Sequence, residues 1–292
     1  MSRTILITGA TGGVGRAVIH SLFELKTGFR VVAGVRSVER ARESFTGYPD
    51  LEFVEFDFEN PATFAQASCG IDAVFLLRPP HLANVNAVFK PFIDTCQQLK
   101  IQQIMFLSVQ GAEKSKVIPH NQIEKLIVDS GIPHIFVRPG YFMQNLVTTL
   151  HADIVKSRAV ILPAGSAKFN WIDVDNIGEA CAVLFVRFAD YVNRALEITG
   201  SENENFTTVV NLINKVTGAT IAYRNLNPFS FYRLKKSDGI NPGMIIVMIM
   251  LHFLARFQKE PRISHVYKEL TQKKPTTLEQ FIGRERAAFQ QK

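Results

Sequence analysis

The sequence predicts an α/β protein whose centre is a doubly wound parallel sheet, followed by a smaller and mostly helical region. Three observations carry this. Short apolar runs of strand length recur through the first half of the 292 residues. Helix-length amphipathic stretches separate them, which is the rhythm of βαβ crossovers. A glycine-rich string, "TGATGGVG" at 8–15, joins the first strand to the first helix.

The elements follow in order. "TILIT" (4–8) is continuously apolar, as a strand covered on both faces must be. "GRAVIHSLFEL" (15–25) is the first helix and "RVVAGVR" (30–36) the second strand. "SVERARESF" (37–45) reads as a helix with Ser37 as its cap. "LEFVEFD" (51–57) is a strand, 60–69 a helix, and "DAVFLLR" (72–78) the next strand. A helix over 84–99 leads to the strand "QIMFLS" (103–108), a helix starts at His120, and "HIFVRPG" (134–140) is again a strand. After Gly140 the alternation weakens. Residues 159–185 read as a strand, a loop and a helix, "ALEITG" (195–200) as one more strand, and "FTTVVNLINKVTG" (206–218) as an amphipathic helix. The rest is mostly helical. This places a nucleotide-binding core over 1–140 and a second region over 141–292, with 172–200 returning to the core sheet.

Bulk properties set outer bounds. Hydrophobic content of 47% with 20% charged residues describes a soluble globular chain. The three cysteines, Cys69, Cys96 and Cys181, are far apart without metal-ligand or redox spacing, so each is expected to be a buried small hydrophobe and no metal site is expected. The first residues run straight into a strand pattern, so the expectation is no signal peptide and a cytoplasmic location. The net charge of +7 is uneven: residues 1–229 hold 21 Lys/Arg and 21 Asp/Glu, and residues 230–292 hold 12 and 5. Such asymmetry points to nucleic acid, an anionic surface or a solvated helical face beside an anionic ligand. Without zinc-ligand spacing or an RNA-binding signature, nucleic acid is not expected. The apolar run "MIIVMIMLHFLA" (244–255) is too short to cross a bilayer and is expected to form a buried or pocket-lining helix.

Gly9, Gly12 and Gly15 in the string 8–15 give the spacing G-x-x-G-x-x-G. A diphosphate needs a tight turn, close backbone approach and free N–H groups at a helix start, where the helix dipole also favours anions. The string therefore assigns Gly9, Thr11, Gly12, Gly13, Val14 and Gly15 to a dinucleotide, and the sheet to the Rossmann type. The end of the second strand chooses the cofactor. An acidic residue there holds the ribose 2′-OH of NAD, and an arginine suits the 2′-phosphate of NADP. Here "AGVRSVER" supplies Arg36, with Arg40 one turn on and no Asp or Glu at the strand end. NADP(H) is thus preferred over NAD(H), against the bland alternative of a surface arginine paired with a nearby glutamate. Asp57 in "EFDFEN" either accepts from an adenine amino group, beside Phe58, or caps the helix near Pro61.

With these pieces together, the chain resembles the NmrA-like branch of the atypical short-chain dehydrogenases. "VFLLRPP" (74–80), "IMFLSVQGA" (104–112), "SGIPHIFVRPGYFMQNL" (130–146), "WIDVDNIGEACAVLF" (171–185) and "ELTQKKPTTLEQFI" (269–282) are similar to that family's blocks, in order and over nearly the whole chain. That branch contains NADP-dependent quinone, triphenylmethane-dye and isoflavone-type reductases beside non-catalytic NADP-sensing regulators. The resemblance implies that Leu76, Leu77 and Arg78, running on to Pro79, lie under the nicotinamide ribose. It implies that Pro139, Gly140 and Tyr141 lie beside the ring, with Phe142, Met143 and Asn145 facing substrate. In "DVDNIGEA" it implies that Asp175, the second aspartate, caps a helix.

Members of the wider class use a Tyr-x-x-x-Lys pair to protonate the product and hold the ribose. In this chain the resemblance puts His120 at the lysine position and Lys116 at the tyrosine position, while Ser108 matches the active-site serine. Three readings of His120 stay open: a ligand of the ribose or amide, a general acid with an ordinary pKa of about 6.5, or a helix-start residue paired with Glu124 at i+4. With the usual donor missing, an activated acceptor is expected, because hydride transfer is the cofactor's own chemistry. The sequence therefore points to NADPH-dependent reduction of a quinone-like or conjugated aromatic acceptor, with Ser108, His120 and Tyr141 as candidate catalytic groups. The alternative is a regulator that senses NADP(H) and binds a partner protein. No membrane span is expected, and a homodimer is allowed.

Overall fold

The computed structural model describes residues 3–116 and 118–290. In chain order the elements are β1 (Thr4–Ile7), α1 (Gly13–Glu24), β2 (Arg30–Val35), α2 (Val38–Ser44), β3 (Glu52–Glu55), α3 (Phe64–Ser68), β4 (Ala73–Leu77), α4 (Val85–Gln98), β5 (Gln103–Leu107), α5 (Pro119–Asp129) and β6 (His134–Pro139). There follow β7 (Tyr141–Phe142), α6 (His151–Ser157), β8 (Ala159–Leu162), β9 (Lys168–Ile172), α7 (Val174–Val186), α8 (Phe188–Tyr191), β10 (Arg194–Ile198) and β11 (Asn203–Asn205). The chain continues through α9 (Phe206–Thr217), β12 (Ala222–Asn225), α10 (Pro228–Ser237), α11 (Pro242–Phe253), α12 (Val266–Thr271), α13 (Leu278–Arg284) and α14 (Arg286–Gln290). Two compact units emerge. The first holds Met1–Pro139, Val174–Ile198 and Glu269–Gln272, and the second holds Gly140–Asp173, Thr199–Lys268 and Lys273–Lys292.

The first unit is an α/β sandwich of the Rossmann type. Its seven-stranded sheet has the order β10-β6-β5-β4-β1-β2-β3, and every neighbouring pair is parallel. Strand order reverses between β1 and β4, which opens a crevice at their carboxyl ends. Thr8 stitches that point: its hydroxyl donates to the Phe75 carbonyl (3.0 Å) and accepts from the Leu77 N–H (2.9 Å). One sheet face is covered by a phenylalanine cluster in which Phe56, Phe58, Phe64, Phe89 and Phe92 meet edge to face, stacked or tilted. On α7, Gly178 lets that helix meet α1, since a Cβ there would stand 2.5 Å from the Ala17 backbone.

The second unit has its own core. Two small sheets, β11-β9-β7 and β12-β8, pack with α9, α11 and α13 around Trp171, Phe206, Phe231 and Phe281. The Trp171 indole donates to the Glu204 carbonyl (2.9 Å), and Gly200 is required because any Cβ would collide with the Trp171 carbonyl. Lys235 is buried against Asp153 (2.5 Å) and also reaches Asp238 (3.2 Å).

Local departures from the sequence reading have plain causes. Strands β7, β9, β11 and β12 lie outside the strands that the sequence predicts, because such short strands carry little alternation. Ser37 stands at the N-cap of α2 but its side chain makes no cap bond. Asp175 lies inside the first turn of α7, and Asp173 immediately precedes the helix. Cys69 is exposed, whereas Cys96 and Cys181 are buried. Helix α11 is only half buried: Ile245, Met248 and His252 face the core, while the opposite side is apolar and open.

Candidate functional site

In a parallel sheet all carboxyl ends share one edge. The first unit therefore gathers the glycine string after β1, Arg36 after β2, Asp57 after β3, Leu77 and Arg78 at β4, Ser108 after β5 and Pro139 at the end of β6. His120 joins this edge from the first turn of α5. A recess of about 600 Å³ lined by Gly28, Arg30, Leu51 and Glu52 lies at the amino ends of β2 and β3, the opposite edge, and offers none of these groups.

The glycine loop is built for close approach. Gly9 has φ +61° and accepts from the Gly12 N–H at 3.0 Å, closing a tight turn. At Gly15 a Cβ would stand 2.3 Å from the Gly9 carbonyl oxygen, so only glycine lets the helix start this near the loop. Helix α1 begins after Gly12 with no side-chain cap and no acidic residue in its first turn. Its leading N–H groups thus face an exposed Thr11–Gly12–Gly13 segment with positive dipole and no competing acceptor. Arg16 braces the loop, donating to the Thr11 carbonyl (3.0 Å) and the Ser44 carbonyl (3.0 Å) while lying over the Phe45 ring. Val14 and Gly15 are buried beneath it.

Arg36 and Arg40 are exposed, and among the described residues neither makes an ion pair or a hydrogen bond. The glutamate pairing weighed from the sequence is absent among those residues. Asp57 spends one carboxylate oxygen on the Glu59 N–H (3.0 Å), a local turn and not the cap of the helix at Pro61, whose N-cap is Asn60. Phe58 is core: its side chain is buried against Phe56 and Phe89, which leaves only its backbone for a ligand. Leu76 is likewise buried, whereas Leu77 packs within contact of Gly9. Arg78 pins the loop after β4 through the carbonyls of Pro79 (3.1 Å), Pro80 (3.1 Å) and Leu82 (2.9 Å). Its Nε is buried without a partner among the described residues, and burial lowers its pKa.

His120 stacks on Phe106, ring centroids 6.1 Å apart. Burial, then repulsion from Arg78, pushes its pKa down to about 3, so it is a neutral imidazole at physiological pH. The i+4 pairing with Glu124 does not form. Glu124 is buried and accepts from Ser108 Oγ (2.6 Å), Arg138 Nε (2.9 Å) and Arg138 Nη2 (2.6 Å), while Arg138 Nη1 reaches Glu113 (2.7 Å). This network ties the ends of β5 and β6 to α5. Sequence reading missed it, although an arginine inside the apolar strand "HIFVRPG" is a signal for a buried carboxylate partner. It also commits the Ser108 hydroxyl.

The remaining candidates lie in the second unit. Gly140 packs on Asn170, whose side-chain and backbone oxygens would clash with any Cβ (2.6 and 2.7 Å). The Tyr141 hydroxyl is hydrogen-bonded to His252 Nε2 (3.0 Å), and the ring sits among Phe169, Trp171 and Phe206. His252 Nδ1 contacts the Met248 carbonyl at 2.7 Å, so Nδ1 carries the proton and Nε2 accepts from the tyrosine. Burial raises the Tyr141 pKa, opposed in part by a hydrogen bond with Asn145, and burial lowers that of His252 to about 4. Phe142 and Asn145 are partly exposed. Met143, expected from the resemblance to face substrate, is fully buried in this unit's core. No cluster of three or more His, Cys, Asp or Glu that could hold a metal occurs among the described residues.

The family model of the NmrA-like family matches residues 1–282. The chain belongs to the NmrA-like family. Among its relatives, Prestalk A differentiation protein A of Dictyostelium discoideum is 29% identical over 278 residues, covering 95% of this chain and 91% of that protein. NAD(P)H azoreductase of Xenophilus azovorans is 25% identical over 294 residues, covering 98% and 99%. Among solved structures, the NADPH-dependent quinone oxidoreductase QOR2 of Escherichia coli, complexed with NADPH, superimposes with a TM-score of 0.84 at 22% identity, covering 96% of this chain and 99% of that one. This NmrA-like chain therefore shares that fold.

Proposed function

We propose that this protein binds NADP(H) in preference to NAD(H) and reduces a quinone-like or conjugated aromatic acceptor. The observation that carries the reading is the pairing of two features on one sheet edge. An uncapped glycine-loop helix start lies open, and two arginines without partners among the described residues follow β2, where an NAD site would carry a carboxylate. The N–H groups of the first turn of α1 would hold the diphosphate, and Arg36 with Arg40 the 2′-phosphate. His120, neutral, would exchange hydrogen bonds with the ribose or the carboxamide, and Pro139 would border the ring. The nicotinamide, when bound, supplies the hydride. The azoreductase and quinone oxidoreductase relatives support an NAD(P)H-dependent oxidoreductase as the general class.

The acceptor class follows from the shortage of proton donors. Lys116 stands where a tyrosine is expected, Ser108 donates to Glu124, and His120 is deprotonated across the physiological range. Tyr141 is a weaker acid than free tyrosine and its proton is engaged by His252. A simple ketone needs a strong donor during hydride transfer. A quinone accepts hydride readily and takes its proton from water. The same shortage favours the second reading, a regulator that senses NADP(H) without turnover. Equilibrium titration with NADPH and NADH, watched by nucleotide fluorescence, tests the cofactor half. NADPH should bind at least tenfold more tightly, and equal affinities would remove the role of Arg36.

A further inference from the structure

We infer that the second unit carries a peripheral docking face for an anionic lipid bilayer, formed by the outer side of α11 and its continuation to Phe257. Ile246, Val247, Met250, Leu251 and Leu254 recur at i, i+1, i+4, i+5 and i+8, one continuous helical face. Ile246 and Leu251 are each 50% exposed, and Phe257, whose ring contacts Phe253, is 74% exposed. Helix α10 packs against α11 and adds Phe229, 70% exposed. The inner face holds Ile245, Met248 and His252 in the core, so the helix is anchored and its outer face is not needed for folding.

Charge selects the occupant. Residues 229–259 hold five Lys/Arg and one Asp. Lys235 pairs with both Asp153 and Asp238 inside the unit. Arg233, Lys236, Arg256 and Lys259 are exposed, and among the described residues none has a carboxylate partner. Arg233 lies over Phe229 and Arg256 over Phe253, the arrangement in which an apolar ring enters a surface while the guanidinium stays at its polar boundary. An apolar helix face bordered by unpaired cations is the chemistry of an interfacial helix on anionic lipid. It is not a span: no helix of the described residues is long and apolar enough to cross a membrane. A second copy of the chain suits the face less well, because a twofold contact would bring the same cations against each other.

The test is cosedimentation of the whole protein with vesicles of phosphatidylcholine alone and of phosphatidylcholine with phosphatidylserine, at low and high salt. Binding is expected to the second vesicle only, weakening as salt rises. Arg256→Gln with Lys259→Gln should weaken it about 25-fold. Met250→Asp with Leu254→Asp should weaken it at least about tenfold. Unchanged NADPH affinity and an unchanged far-UV CD spectrum certify that these surface variants are folded. Failure to bind anionic vesicles at low salt, or full binding by the folded aspartate variant, would overturn the inference. So would a dimer in light scattering that the aspartate variant abolishes.

Discussion

Removing the Glu124 carboxylate should destabilise the first unit and loosen the segment that carries His120. In Glu124→Ala, three donors lose their acceptor together: the buried Ser108 Oγ and the largely buried Arg138 Nε and Nη2. Breaking one side of a buried ion pair costs about 3–5 kcal/mol, because the surviving charge stays buried. Arg138 keeps Glu113 at 2.7 Å, and that residue is exposed, so the lower end, about 3 kcal/mol, applies. The assay is urea unfolding followed by far-UV CD. The single tryptophan, Trp171, belongs to the second unit and reports on that unit separately. The double variant Glu124→Leu with Arg138→Met removes both charges and should recover more than half of the loss. A cost below about 1 kcal/mol for Glu124→Ala would place the pair in the class of weak surface bridges and refute the reasoning. A double variant as costly as the two singles combined would do the same.

Four further outcomes are expected. Gly15→Ala must displace the loop, since its Cβ would meet the Gly9 carbonyl at 2.3 Å; NADPH affinity measured by titration should fall more than tenfold. Arg36→Asp should reverse nucleotide preference, weakening NADPH by at least about tenfold through loss of a charge-assisted bond and sparing NADH. His252 should make the protein acid-sensitive. With a folded pKa of about 4 and an unfolded value near 6.5, the unfolded chain binds more protons between these limits, so stability falls as pH drops through that window. The loss from pH 7 to pH 5 is about 2 kcal/mol, visible in melting curves and absent in His252→Phe relative to its own pH 7 value. His120, with a pKa of about 3, should leave no ionisation near pH 6.5 in the pH profile of kcat/KM; a limb there that vanishes in His120→Ala would restore the general-acid reading.

The sheet was legible because buried parallel strands must be apolar throughout, as "TILIT" and "IMFLS" are, and because a strand–glycine–helix junction has few physical solutions. The family was legible in the later blocks, such as "RPGYFMQNL". What escaped was the pairing of residues distant in sequence. Nothing local distinguishes Ser108 as a donor to Glu124, or shows that His252 holds the Tyr141 proton 111 residues away. The burial of Met143 escaped for a related reason: beside partly exposed neighbours in one short stretch, only the tertiary core decides which side chain turns inward. The histidine pKa values also needed the fold, since burial sets them and a sequence states no burial. Helix α11 illustrates the reverse case. Its uniform apolarity suggests a buried or pocket-lining helix, but periodicity cannot separate a face covered by the core from one that stays open.

The most direct measurement is NADPH oxidation at 340 nm with a panel of small quinones, run beside an NADPH binding titration on the same preparation. Saturable consumption above the uncatalysed rate, lost in Gly15→Ala, is the result expected of a quinone-type reductase. Tight NADPH binding with no consumption above background across the panel would contradict that function and leave nucleotide sensing in its place.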